Sequence, residues 1–418
     1  MDHTDWTLLC NVGEKAAARA SAAIPLVDAE LAAAAKKDDP RFRIRLLGIL
    51  ARIEPTRGTE QLAAAIAADN DGVAAFAARI LGRCGAPADR IGAVVMARLL
   101  VESRSNVASA LALAACEAGA IGTTRPLLDR LRSGSVPRGS KHWFSIALAQ
   151  LADRDLQAES LGWLKPRSSL CEAAVLIARR TRDARAEVPL LELLAADVDE
   201  KLATCILQSL GACGGAATRA ALRSSLAMEA RTFATAGIQV ASSPLDARQL
   251  ALLRLGDPKQ VAWARATISP RVEGADAKTT IDVMTSSKAR VPELLGKWNV
   301  TGAADALVAC LANKDVATWV RAYAARGLCW LHDGRGLAGA AELLAGETTR
   351  EFGGDRGLMV AQQTLHEFVA NADRPDYVPI DAASKVSGVG KAWLGWLGKH
   401  QVTWRDPRQD TDEPLLFY

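Results

Sequence analysis

NKDVATWVRAYAARGLCWLHDGRGLAGAAELL, residues 313–344, decides the fold. Asp315 opens it, and Val316, Val320, Tyr323, Ala324, Gly327, Leu328 and Leu331 then recur at the spacing that gathers one face of an α-helix. The polar turn HDGRG interrupts the pattern before Leu337, Ala341 and Leu344 begin a second, short helix. One such pair cannot hide its apolar face from water, so its meaning depends on recurrence.

It recurs on the N-terminal side. DPRFRIRLLGILARIEPTRGTEQLAAAIA starts at Asp39, and DGVAAFAARILGRCGAPADRIGAVVMARLL starts at Asp71, a step of about 30 residues that fits a two-helix repeat. Further units are expected near Ser105, after SVPRGSKH (135–142), from Ser168, at Asp199, near Glu229 and near Asp257. Each holds a longer apolar-periodic helix, a turn with Gly, Asp or Pro, and a second, Leu-rich helix. Gly at a helix end takes the left-handed conformation cheaply, and Asp or Ser caps the N–H groups of the next helix. Between Ser269 and Lys297 the prolines and polar clusters predict a longer loop or a distorted repeat.

Three regions follow. Residues 1–38 are expected to form N-terminal capping helices, and residues 39–345 the repeat array, irregular at 269–297. Residues 346–418 are expected to form C-terminal capping helices and a tail, with TTREFGGDRG as a loop and GLMVAQQTLHEFVANA and KAWLGWLGKH as helices.

Composition agrees with an all-α chain. Half of the 418 residues are apolar, yet only 5% are aromatic, so Ala and Leu carry the packing. The 51 Lys and Arg nearly cancel the 47 Asp and Glu, for a net charge of +4, which argues against bulk nucleic acid as the main partner. The eight cysteines lack a C-x-x-C pair and lie among apolar helical residues, as buried thiols do. A reducing, cytoplasmic location is expected from them. No stretch near Met1 has a basic start followed by an apolar run, and no run is long enough to span a bilayer.

The pattern D-x-x-V-x-x-x-A-A-x-x-L-G-x-x-G, seen from Asp71 to Gly85 and again from Asp315, resembles bacterial HEAT repeats of the type named after phycobilisome lyases. The resemblance covers most of residues 39–345. It implies an α-solenoid, a right-handed superhelix of helix pairs whose second helices line a concave surface. Most proteins of this kind bind other proteins and a minority are enzymes; a non-enzymatic scaffold that binds a protein or peptide on that surface is expected here.

Other motifs fare less well. Gly334, Gly336 and Gly339 spell G-x-G-x-x-G, but a helical stretch precedes them where a dinucleotide site needs a buried strand. Gly388, Gly390 and Lys391 suggest a phosphate loop, but Lys385 and Ala392 stand where it needs Gly and a hydroxyl residue. His332, His366 and His400 follow one another at about one repeat. Repeat-spaced His-Glu pairs carry iron in deoxyhypusine hydroxylases, which are also built of HEAT repeats, yet only His366-Glu367 forms such a pair here. No metal or cofactor is expected.

Seven of the ten tryptophans fall after residue 260: Trp263, Trp298, Trp319, Trp330, Trp393, Trp396 and Trp404. Core filling explains them better than an aromatic binding surface. The basic stretches Arg41, Arg43, Arg45, Arg52 and Arg179, Arg180, Arg182, Arg185 are interleaved with acids such as Asp183 and Glu187, as on a solvated face. The second reading kept beside the scaffold is a HEAT-like DNA-binding protein or DNA glycosylase working through a basic groove. For a scaffold, the residues expected to meet the partner are Arg98, Arg130, Arg132, Glu192, Arg219 and Arg223, on second helices away from their leucines.

Overall fold

The computed structural model describes residues 20–37, 39–196, 198–235, 247–268, 290–314, 316–346, 354–371, 373–376 and 383–405. Among them the chain is all-helical, with one isolated antiparallel bridge between Val369 and Trp404. They fall into two compact units, one ending at Gly214 and the other beginning at Gly215.

The N-terminal unit contains α1 (Ala20–Lys37), α2 (Pro40–Ile53), α3 (Pro55–Ile66), α4 (Asp71–Arg83), α5 (Ala88–Leu99) and α6 (Ser105–Ala118). It continues with α7 (Thr124–Ser133), α8 (Lys141–Leu151), α9 (Arg154–Ser160), α10 (Cys171–Thr181), α11 (Glu187–Ala195) and α12 (Glu200–Cys213). The helices pair in sequence as first and second members. The first members α2, α4, α6, α8, α10 and α12 stack on one another along the unit, and each second member packs on the first member that follows it. Small residues permit that stacking: a Cβ on Gly82 of α4 would lie 2.5 Å from Ala114 Cα of α6.

The C-terminal unit contains α13 (Ala216–Thr235), α14 (Ala247–Arg254), α15 (Pro258–Ile268), α16 (Val291–Lys297) and α17 (Ala303–Ala312). After these come α18 (Thr318–Trp330), α19 (Gly334–Gly346), α20 (Gly354–Phe368) and α21 (Ala383–Leu397). Here α16, α18 and α20 form the first-helix stack, while α15, α17, α19 and α21 follow one another beside it.

Caps start many helices where the sequence asks for them. Asp39, Asn70, Asp153 and Asp199 accept the backbone N–H groups of Phe42, Val73, Leu156 and Leu202 at 2.8 to 3.0 Å. A second device closes the turn inside a pair. Arg182, Gly256 and His332 take positive φ, and the following Asp183, Asp257 and Asp333 each accept the N–H two residues on. Only one of these three left-handed positions is a glycine; the other two carry a cost of about 1 kcal/mol for their side chains.

Several expected boundaries move. Glu229 does not open a unit but lies inside α13, because nothing from Ala216 to Thr235 is Gly or Pro. Asp257 belongs to a turn within a pair, matching Asp183 and Asp333. The turn after Trp330 is shorter than HDGRG, since α19 already starts at Gly334. Of the irregular stretch 269–297, residues 269–289 lie outside the described residues, while Val291–Lys297 is helical. Asp315 and most of TTREFGGDRG also lie outside them, but Gly354 and Asp355 already belong to α20.

Candidate partner-binding surface

The two helix classes differ in what they leave open. First helices in the middle of the N-terminal unit are enclosed: Phe144 to Ala149 of α8 and Ala173 to Arg179 of α10 are buried without interruption. Second helices bury one side only. Ile91, Val95 and Leu99 do so for α5, Leu127, Leu128 and Leu131 for α7, and Leu190 and Leu193 for α11. Arg125, Asp129 and Arg132 of α7 and Glu192 of α11 are exposed on the other side.

Of the six residues named from the sequence, Arg98 and Arg130 both reach Glu102, the first at its carboxylate and the second at its main-chain carbonyl. Glu102, nearly buried, accepts Arg98 Nη2 at 3.1 Å. It also takes the backbone N–H of Arg104 at 3.0 Å and Arg104 Nε and Nη2 at 2.9 Å each. The hydrogen bonds from Arg104, outweighing desolvation, hold its carboxyl at about 2, well below the usual 4.5. Arg130 donates to the carbonyls of Leu99, Glu102 and Ser135 and lies over the Phe144 ring at 5.6 Å. Burial lowers its pKa.

Arg132 donates to Glu159 Oε1 at 3.1 Å with both side chains about half exposed, and Glu192 is exposed. Arg219 and Arg223 belong to the C-terminal unit, where both engage the turn after α14. Arg219 Nη1 reaches Leu255 O at 3.4 Å, and Arg223 Nε reaches buried Asp257 Oδ2 at 2.5 Å.

The glycine motif of residues 334–339 lies in α19. A Cβ on Gly336 would meet Ala325 O at 2.5 Å, and one on Gly339 would collide with Leu311, so these glycines serve close helix packing. Gly388 and Gly390 lie inside α21, with Gly390 against the backbone of α19. The three repeat-spaced histidines each meet a tryptophan. His332 stacks on Trp404 at 5.2 Å, His366 stands edge-on to Trp393 at 5.2 Å, and His400 stacks on Trp396 at 4.7 Å. Among the described residues no three His, Cys, Asp or Glu converge as ligands. Trp393 and Trp396 are buried, and Trp263, Trp298, Trp319, Trp330 and Trp404 pack on the two apolar clusters of the C-terminal unit.

The basic stretches are largely tied down. Arg45 lies over the Phe76 ring, Arg179 is buried against Gln208 Oε1 at 2.6 Å, and Arg180 donates to Ala149 O at 2.7 Å. Arg185 forks onto Asp183, whereas Arg41 and Arg43 are exposed. Burial pushes the thiols of Cys205 and Cys310 up to about 11 and about 12, the behaviour of small hydrophobes rather than nucleophiles.

Two features escaped the sequence reading. Glu102 carried only a local signal, since Arg98 four residues before it and Arg104 two residues after it hold its carboxylate. Leu100 and Val101 carry a faint one: Ile91, Val95 and Leu99 set the buried phase of α5, and the two residues after them fall outside it. No protein-family model matches the chain and no curated protein matches it in sequence, so its architecture stands on its own helix pairing and capping.

Proposed function

We propose that the chain is a non-enzymatic α-solenoid of HEAT-like helix pairs, a scaffold holding a protein or peptide partner on the concave surface lined by its second helices. The observation that supports this best is the contrast between enclosed first helices and second helices open on one side. The side chains left for recognition, Arg125, Asp129 and Arg132 on α7 and Glu192 on α11, are displayed on two pairs with the α8–α9 pair between them. Such a surface gains area by adding repeats, and a few anchors within it set affinity.

Capture by the full chain in an extract of its source cells tests the reading, with Arg132→Glu and Glu192→Arg as controls. Loss of a stoichiometric partner in the variants is the expected result. Capture that both variants leave unchanged removes the second-helix surface from consideration. Binding of duplex DNA at low salt would instead favour the nucleic-acid reading.

A further inference from the structure

Three consecutive loops between helix pairs, residues 100–104, 134–140 and 161–170, precede the stacked first helices α6, α8 and α10 along one edge of the N-terminal unit. Side chains fasten them together. Arg130 reaches the carbonyls of Glu102 at 3.3 Å and Ser135 at 2.5 Å, joining the first loop to the second. Ser140 Oγ donates to Ser105 O at 2.9 Å across the same gap. Arg132 of α7 on Glu159 of α9, and His142 Nδ1 of α8 against Glu172 Oε1 of α10 at 2.5 Å, join the helices that flank the second and third loops.

The first loop therefore has little freedom, and it holds two aliphatic side chains in water. Leu100 is 58% exposed and Val101 72%, among the most exposed large hydrophobics of the described residues. Fixing an apolar pair before binding removes most of the ordering cost of using it as an anchor. The next two loops add the exposed cations Arg138, Lys165 and Arg167, and Arg132 of α7, paired with exposed Glu159, stands at the start of the second.

We infer that this edge docks an acidic segment of a partner protein, seating an aliphatic or aromatic side chain on Leu100 and Val101 and placing carboxylates along Arg132, Arg138, Lys165 and Arg167. The inference rests on the scaffold reading and names the chemistry of the partner. Cations here supply sign selection and on-rate, and the apolar pair supplies residence.

Random peptides displayed on phage, selected on the full chain, supply the probe. Enrichment of sequences combining Asp or Glu with Leu, Ile, Phe or Trp is the expected result. A synthetic copy of the best peptide is then titrated by fluorescence anisotropy against three proteins: the natural chain, Leu100→Ser/Val101→Ser, and Arg138→Glu/Arg167→Glu. All four positions are exposed, and circular dichroism checks that the variants keep their helices. Each pair of changes should weaken binding about tenfold or more, and affinity should fall between about 50 mM and about 0.3 M salt.

A peptide that binds the variants as tightly as the natural chain overturns this edge but leaves the scaffold reading standing. Failure to select any peptide counts against both. Two further outcomes overturn the inference: self-association in the ultracentrifuge that Leu100→Ser/Val101→Ser abolishes, marking a face between copies, and single-stranded or duplex DNA binding that ignores Leu100 and Val101.

Discussion

Arg83, in the last turn of α4, donates its Nε to Glu117 Oε1 of α6 at 2.7 Å, linking two successive first helices at their C-terminal ends. The link is possible because Gly82 and Ala114 let the two backbones approach. The second unit contains the same kind of link, from Arg326 Nε of α18 to Glu293 Oε1 of α16 at 2.8 Å.

Glu117 is buried and Arg83 about one-third exposed, so removing the carboxylate takes a charge-assisted bond from a partly desolvated guanidinium. Glu117→Ala is expected to cost about 1–3 kcal/mol. Glu159→Ala, which breaks the exposed pair with Arg132, is expected to cost less than about 0.5 kcal/mol. Urea unfolding of the full chain, fitted for the transition of the N-terminal unit, checks both. Equal losses would mean that burial does not distinguish the two pairs.

Acid should loosen both units through one carboxylate each. Glu102 sits at about 2, chiefly through Arg104. Burial alone would raise Glu293, but Arg326 and Arg290 outweigh it and hold that group at about 2 as well. A carboxyl whose pKa is depressed on folding stabilises the fold above its unfolded value and loses that contribution as the pH falls toward the folded one. The window here runs from about pH 5 down to about pH 2, and each group contributes roughly 3 kcal/mol at most. Glu102→Gln should therefore be less stable at pH 7 and lose stability less steeply between pH 5 and pH 3, as followed by melting temperature.

Much of the architecture was written in local pattern. Asp39 and Asp199 marked helix starts because capping depends on the residue at the cap and its neighbour three positions on. The ladder of side-chain contacts between pairs was not written there. Arg179 reads as a cation at a helix C-terminus, yet it is buried against Gln208 of the next first helix. Arg326 sits in VRAYAARGL with nothing to set it apart from a solvated arginine. Which of two like-charged residues is enclosed depends on the register between helices about one repeat apart, and no periodicity within a helix encodes that register. For the same reason the six positions named on second helices divide between clamps such as Arg130 and open side chains such as Glu192.

Glycines separate by what their Cβ would meet. Gly296 of α16 faces the backbone of Gly327 in α18, and a Cβ there would collide with the Gly327 carbonyl group. Gly296→Ala should destabilise the C-terminal unit by several kcal/mol, at or beyond the 1–3 kcal/mol typical of overpacking. Gly388 of α21 is exposed, has nothing within 4 Å of a Cβ and has no positive φ. Gly388→Ala should stabilise by about 0.5–1 kcal/mol through helix propensity. Opposite signs in thermal melts are the expected outcome; equal destabilisation would refute this account of the helix contacts.

Arg326 provides the sharpest test of how the first-helix stack is held. Only 8% of it is exposed, and it spans three successive first helices, donating Nε to Glu293 of α16 and Nη2 to Glu367 of α20 at 2.5 Å. Its guanidinium also lies 5.8 Å from the centre of the Phe368 ring. Arg326→Met keeps most of the volume but leaves Glu293 with Arg290 as its remaining fork and Glu367 without Arg326. The expected loss is about 3–5 kcal/mol, the cost of uncompensated buried charge rather than of a missing attraction. Arg326→Lys keeps the charge but cannot reach both carboxylates with a planar fork, so it should fall between. Adding Glu367→Gln to Arg326→Met removes one of the stranded charges and should recover part of the loss. Denaturant unfolding of the four proteins measures this, and a double variant no more stable than Arg326→Met would show that packing, not charge pairing, holds these three helices together.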